Sequence, residues 1–100
     1  MVRTESQGRV HAKENHGQLA PPGKSRFRNI EKIDELIDRT KHEPSMLIDD
    51  VPQVGLRKKF KKFRHIGTDG QTGRMVDWVC VIEEMGAGMT QTAYPVRAPR

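Results

Sequence analysis

The sequence lacks the features that define several large classes of protein. It contains one cysteine, Cys80, so no disulfide can form within the chain. No run approaches the roughly 18 apolar residues that span a membrane, and the N-terminus has no apolar segment typical of a secretory signal peptide. We therefore expect a soluble chain that is not secreted, and we predict a cytoplasmic location.

Length and aromatic residues are also scarce. The chain has 100 residues, of which 34% are hydrophobic and 5% aromatic. A chain of this size buries only about 60–65% of the surface that it exposes when unfolded. The composition therefore excludes a large enzyme and allows at most one small domain.

Arrangements typical of metal sites and catalytic centres are missing as well. The chain has four histidines, His11, His16, His42 and His65. None stands in the close pairs with cysteine or histidine that structural zinc sites use. Cys80 lies in an apolar run with no neighbour to activate it, and Asp49-Asp50 has no third carboxylate nearby. We predict no metal, no cofactor and no enzymatic activity.

Acidic residues are absent from one segment of an otherwise mixed chain. The whole sequence has 18 basic and 13 acidic residues, a net charge of +5. Residues 51–67 hold six basic and no acidic residues, whereas residues 29–50 hold three and seven. The basic character is therefore local, and it favours a binding surface over a merely solvated face.

Residues 1–24 have few apolar positions and show no helical or strand period. Such a segment buries too little surface to offset the entropy lost on ordering. We predict a flexible basic arm, closed by Pro21-Pro22-Gly23. Its end carries a second, looser basic patch of Lys24, Arg26 and Arg28, which either orders along a phosphate backbone or serves only as a soluble tail.

The clearest periodic element is residues 27–41. Apolar residues recur there at three- and four-residue steps, at Phe27, Ile30, Ile33, Leu36 and Ile37. This spacing predicts an amphipathic helix with one face packed on a core. Glu43-Pro44 ends it, because a residue before proline is disfavoured in helical conformation.

The next segment leaves alternatives open. Met46-Leu47-Ile48 is too short to classify and fits an edge strand or one helical turn. Leu56, Phe60 and Phe63 have helical spacing, which favours a basic helix over residues 53–62, although Phe63 to Ile66 also fits the first arm of a hairpin.

The strongest strand signal is residues 75–84, a nearly continuous β-branched and aromatic run. Because a strand needs partners, we expect it to pair with residues near 62–67 and with residues 90–96 across glycine-containing turns. The prediction is a small α+β domain over residues 25–97, with one or two helices packed on a short antiparallel β-meander. Trp78 belongs to its core, or stacks on a base if it is exposed.

The basic residues are the candidate site. They are Arg57, Lys58, Lys59, Lys61, Lys62 and Arg64 on the predicted helix, with Lys24, Arg26 and Arg28 on the arm. Cations that meet phosphates release counterions, which gives salt-sensitive affinity without base contacts. We predict a non-enzymatic nucleic-acid-binding module for RNA or for phosphate backbone in general.

A second hypothesis uses the same charges differently. A basic helix can dock on an acidic protein partner, where it speeds association by electrostatic steering. The chain would then be a subunit or adaptor in a larger assembly. A membrane surface is a weaker third reading and we predict none, because three apolar side chains are barely enough to attach the helix to its own domain.

Overall fold

The computed structural model describes residues 2–17, 20–44 and 46–99. Two α-helices pack on a five-stranded antiparallel sheet, which confirms the α+β prediction. In chain order the elements are α1 (Glu5–His16), β1 (Arg26–Phe27), α2 (Ile33–His42), β2 (Leu47–Val51), β3 (Leu56–Thr68), β4 (Met75–Glu84) and β5 (Thr90–Val96). None of these helices is long and apolar enough to cross a membrane.

Strand β3 organises the sheet. Its residues 56–62 and 67–68 pair with β4 on one side, whereas β2 and β1 pair with its two ends on the other side. β5 pairs with the far edge of β4. The strands predicted at residues 75–84 and 90–96 are confirmed, and Met46-Leu47-Ile48 leads into the edge strand β2 rather than into a helical turn.

The helix predicted over residues 53–62 is wrong. Pro52–Val54 forms a single 3-10 turn, Gly55 takes a left-handed φ of 69°, and the chain then enters β3. Helical spacing of three apolar residues did not decide the conformation, because β2 and β4 offer backbone partners on both sides of this segment. Tertiary pairing overrides a weak periodic signal of this kind.

Helix α2 is shorter at its start than the predicted helix over residues 27–41. Phe27 belongs to β1, and Ile30–Lys32 forms a 3-10 turn capped by the Asn29 side chain, which accepts a hydrogen bond of 3.0 Å from the Glu31 N–H. The α-helix then runs from Ile33 to His42 and ends before Pro44, as the sequence indicates.

The segment 1–24, expected to lack regular structure, contains helix α1. Thr4 and Gln7 form a reciprocal capping box at its first turn. Gly8 and Ala12 face the sheet and are buried, and the missing side chain of Gly8 lets α1 approach the carbonyl oxygen of Thr90. The hydrophobic periodicity of this segment is weak because the residues of α1 that contact the sheet, Gly8 and Ala12, are small rather than large and apolar. The mobility of the segment stays a prediction.

The hydrophobic core lies between the helices and one side of the sheet, which we call the inner face. Its members come from both helices and three strands: Ala12, Phe27, Ile33, Leu36, Ile37, Val79, Val81 and Ala93, with Phe63 and Ile66 of β3 packed against them. The opposite side, the outer face, carries Phe60, Cys80 and Tyr94 at cross-strand positions.

Candidate nucleic-acid interface

Strand geometry divides the basic run of residues 57–64 between two environments. Successive side chains of a strand point to opposite faces of its sheet. Lys59 and Lys61 pair with Val81 and Val79, so Arg57, Lys59 and Lys61 lie on the inner-face side. Lys58 and Lys62 lie on the outer-face side. The six charges therefore do not form the single exposed surface that a helix would have given.

The three inner-side cations are neutralised by carboxylates. Arg57 donates to Asp50 at 2.6 Å, and this hydrogen bond holds the pKa of Asp50 below its usual value. Lys59 lies 2.9 Å from Glu83. Lys61 lies 3.7 Å from Glu43 and donates to the carbonyl oxygen of Pro44 at 2.8 Å. These side chains hold the fold together and have little charge to offer a ligand.

A large bulge redirects the end of the basic run. Lys62 pairs with Trp78 and Gly67 pairs with Val76, so residues 63–66 of β3 lie opposite Asp77 alone. His65 takes a positive φ of 49°, and its N–H donates to Asp77 at 2.8 Å. Bulges of this kind bend a strand and re-aim its side chains, and they are frequent beside functional sites.

The bulge forms one wall of an open groove against α2, with a volume of about 720 Å³. We call it the basic groove. Its lining includes five cations and one carboxylate: Arg28, Lys32, Arg39, Lys62 and Arg64, with Glu35. The remaining lining residues are Asn29, Leu36, Phe63, His65 and Ile66. Cations distant in the sequence thus converge on one surface.

Three separate segments position these cations. Arg28 directly follows β1, and its N–H donates to the carbonyl oxygen of Ile66 at 2.8 Å, which ties this wall to the bulge. Lys32 and Arg39 are seven residues, or two helical turns, apart and so lie on one side of the 3-10 turn and α2. Lys62 and Arg64 stand at the start of the bulge.

Four of the five groove cations are available to a ligand. Arg28, Lys32, Lys62 and Arg64 are exposed, and none forms a salt bridge with a carboxylate of the described residues. Arg39 is different. Its guanidinium lies 5.0 Å from the centre of the Phe63 ring and donates to Glu43 at 3.0 Å, which lowers the pKa of that carboxyl. The Arg39 charge is therefore already partnered by Glu43, and its side chain contributes to the groove mainly as packing against Phe63.

The other predicted site residues lie elsewhere. Lys58 stands on the outer face opposite Asp49, and Arg26 donates to the carbonyl oxygen of Ala20 at 3.0 Å. Lys24 lines a separate polar cavity of about 410 Å³ beside His11 and His16. Of the nine predicted residues, Arg28, Lys62 and Arg64 thus reach the groove.

Sequence reasoning missed Lys32 and Arg39 as members of a basic surface. They sit in the acidic segment 29–50, where a count of net charge hides them. The signal that finds them is their seven-residue spacing, which puts both on the same side of a helix despite the acidic residues around it.

Neither metal chemistry nor thiol chemistry is apparent in the part of the chain that the structure describes. No group of three His, Cys, Asp or Glu side chains in that part could hold a metal ion. Cys80 is buried, and burial raises the pKa of its thiol to about 11, so the thiol is protonated at neutral pH.

No family model, no curated protein and no solved structure matches the chain. The geometry and charge of the basic groove therefore carry the argument about function.

Proposed function

We propose that the chain is a nucleic-acid-binding module without catalytic activity, and that it holds the phosphate backbone in the basic groove. One observation carries this proposal. Four exposed cations without salt-bridge partners among the described residues, Arg28, Lys32, Lys62 and Arg64, come from three segments and line one open groove.

The chemistry of these side chains suits phosphate. Arginine presents a planar fork of N–H donors that can bind two phosphate oxygens together, and lysine adds a compact point charge. A groove open to solvent lets a polymer pass through, whereas an enclosed pocket would select a small ligand. Contacts to phosphate fix position without reading sequence, so we expect binding to many sequences.

The salt dependence of binding tests this proposal. We would measure the fluorescence anisotropy of labelled RNA and DNA strands of about 20 nucleotides between 50 and 200 mM salt. Four phosphate contacts predict that log affinity falls linearly with log salt with a slope of roughly −2.8 to −3.6. The absence of any binding at 50 mM salt would overturn the proposal.

A parallel titration separates nucleic acid from an acidic protein partner. Poly-glutamate carries carboxylates on a flexible chain without phosphates. If it competes as well as RNA at equal charge concentration, the groove recognises negative charge in general, and docking on an acidic protein replaces nucleic-acid binding as the better account. We expect RNA to compete more strongly, because phosphate accepts paired hydrogen bonds from Arg28 and Arg64.

A further inference from the structure

The outer face of the sheet is rich in apolar and aromatic side chains. Those at outward register positions are Leu47, Val51, Leu56, Phe60, Trp78, Ile82, Tyr94 and Val96. Leu47 is 49% exposed and the others are half-buried. Both α1 and α2 contribute to the core on the inner face, and α1 also reaches the β5 side of the outer face, where the His16 ring lies 5.4 Å from the Tyr94 ring. A sheet in water usually keeps such a face polar.

Lysines alternate with the aromatic rings on this face. Along β3 the outward residues include Lys58, Phe60 and Lys62, each about 7 Å from the next. Lys62 is the cross-strand partner of Trp78, so the two residues are neighbours in the sheet. Rings and cations repeated on one surface match a ligand that repeats bases and phosphates.

The outer face meets the basic groove at Lys62, where the bulge of β3 begins. Lys62 lines that groove and also stands opposite Trp78 on the sheet. Further along the face an open cavity of about 900 Å³ is lined by Leu47, Phe60 and Val96, with one carboxylate, Asp49, and one cation, Arg97, which lies beyond the end of β5. A strand whose phosphates lie in the groove can therefore place its bases on the sheet.

We infer that the outer face is a stacking platform for unpaired bases, so that single-stranded nucleic acid is the ligand of the groove. This inference rests on the proposed function and narrows it. Phe60 and Trp78 supply aromatic surfaces, on which any base can stack because every base has a π face. In a duplex the bases are already stacked on one another and cannot use this platform.

The charged side chains on the outer face argue against a second copy of the chain as the partner that covers this face. A symmetric pair that buried this face would bury Lys58 and Lys62 of both copies together with Asp49 on β2 and Glu84 on β4, the carboxylates at outward register positions. Burying these charges against a second copy costs desolvation free energy, which only well-formed ion pairs recover. A polyanion gains from the same lysines.

The intrinsic fluorescence of Trp78 gives a direct readout, because it is the one tryptophan of the chain. We would titrate the protein with a single strand of about 20 nucleotides, with the duplex of the same sequence, and with an abasic strand of equal length. Stacking predicts that the base-containing single strand quenches the fluorescence and binds most tightly. The duplex and the abasic strand should bind more weakly, without quenching.

Matched variants distinguish the contribution of an aromatic ring to binding from that of an apolar side chain of similar size. Trp78→Leu and Phe60→Leu should each weaken single-strand binding by roughly 5- to 150-fold, the loss typical for one stacked base. Trp78→Phe and Phe60→Tyr keep a ring and should retain most of the affinity. Duplex binding should be unchanged in all four variants, and unchanged thermal unfolding shows that each variant is folded.

Failure of this inference is distinguishable from failure of the proposed function. Equal affinity for the single strand, the duplex and the abasic strand, with no effect of Trp78→Leu, would overturn the stacking platform but leave the basic groove in place. No binding to any of the three would overturn the proposed function itself. Dimerisation in sedimentation experiments that Trp78→Leu abolishes would assign the face to a second copy instead.

Discussion

Lys59 and Glu83 form an ion pair of 2.9 Å in the interior of the domain, where their side chains are 13% and 6% exposed. The Lys59 ammonium also donates to the carbonyl oxygen of Lys41 at 3.2 Å, which joins β3 to the end of α2. A residue expected to contact nucleic acid is thus a structural cation. Because side chains alternate along a strand, the cations of β3 form two groups. Arg57, Lys59 and Lys61 pair with carboxylates of the domain, whereas Lys58, Lys62 and Arg64 form no salt bridge within the described residues.

Removing one member of this pair should destabilise the protein strongly. Glu83→Gln leaves the Lys59 charge buried without a counter-ion, and breaking a buried pair in this way costs about 3–5 kcal/mol. The double variant Lys59→Met/Glu83→Leu should recover most of that loss, because apolar side chains of similar volume need no partner. Urea unfolding of the three proteins measures both values. A loss below about 1 kcal/mol in Glu83→Gln would show that the pair is solvated.

Gly8→Ala tests the close packing of α1 on β5. In an exposed helix interior this change normally stabilises by about 1 kcal/mol. Here the new Cβ would overlap the carbonyl oxygen of Thr90, so we expect destabilisation. Ser6→Ala, at an exposed position of the same helix, is the control and should raise the stability slightly. A higher melting temperature for Gly8→Ala would mean that α1 does not rest on β5.

Glu5 should make the stability of the protein depend on acidic pH. Burial alone would raise its pKa, but hydrogen bonds from Thr90 and Arg9 and the nearby Lys41 ammonium outweigh burial and lower it to about 2. The folded state therefore binds fewer protons than the unfolded state between pH 2 and 4.5. The stabilisation from this carboxylate is complete above that window and is lost as pH falls through it.

Glu5→Gln should consequently lower the melting temperature at neutral pH, and the difference from the parent should shrink as the pH falls towards 2. The Glu5 side chain is 38% exposed, so solvent screening keeps the effect modest. Glu14→Gln, at an exposed position of the same helix, is the control. A constant difference across the whole acidic range would contradict the linkage.

Core and surface positions should respond very differently to truncation. Ile33 is 0% exposed and Leu36 is 7% exposed, so Ile33→Ala and Leu36→Ala should each cost about 2–4 kcal/mol. Lys58 has no salt bridge among the described residues, and Lys58→Ala should stay within about 0.5 kcal/mol. Similar small effects at all three sites would mean that α2 does not pack on the core.

The sequence predicts the elements whose own side chains decide their conformation. β4 matches the predicted range because its β-branched run is unsuited to any other element, and α2 follows the strict spacing of Ile33, Leu36 and Ile37. The first half of β3 falls within the helix predicted over residues 53–62, and its strand conformation depends on partners that precede and follow it in the chain. Local patterns contain no information about those partners.

The candidate site was harder to predict for the same reason. Lys62 and Arg64 are identifiable as cations, but strand alternation turns Lys62 away from the paired Lys61, and the bulge redirects the chain at Arg64. Lys32 joins them only through the packing of α2 beside that bulge. Charge counting identifies basic residues, whereas the fold determines which of them already have a partner.

Two double variants with equal loss of charge test whether the basic groove is the binding site. Lys62→Gln/Arg64→Gln and Arg57→Gln/Lys61→Gln each remove two positive charges from β3, the first pair from the basic groove and the second from existing ion pairs. We would measure the salt dependence of single-strand binding for both, after confirming that each variant unfolds at a temperature near that of the parent.

The account predicts that the groove variant binds more weakly and that the magnitude of its salt slope falls by roughly 1.4 to 1.8, the value for two lost phosphate contacts. The ion-pair variant should keep the slope of the parent. Equal losses in both variants would show that only net charge matters, and an unchanged groove variant would contradict the assignment of the basic groove as the binding site.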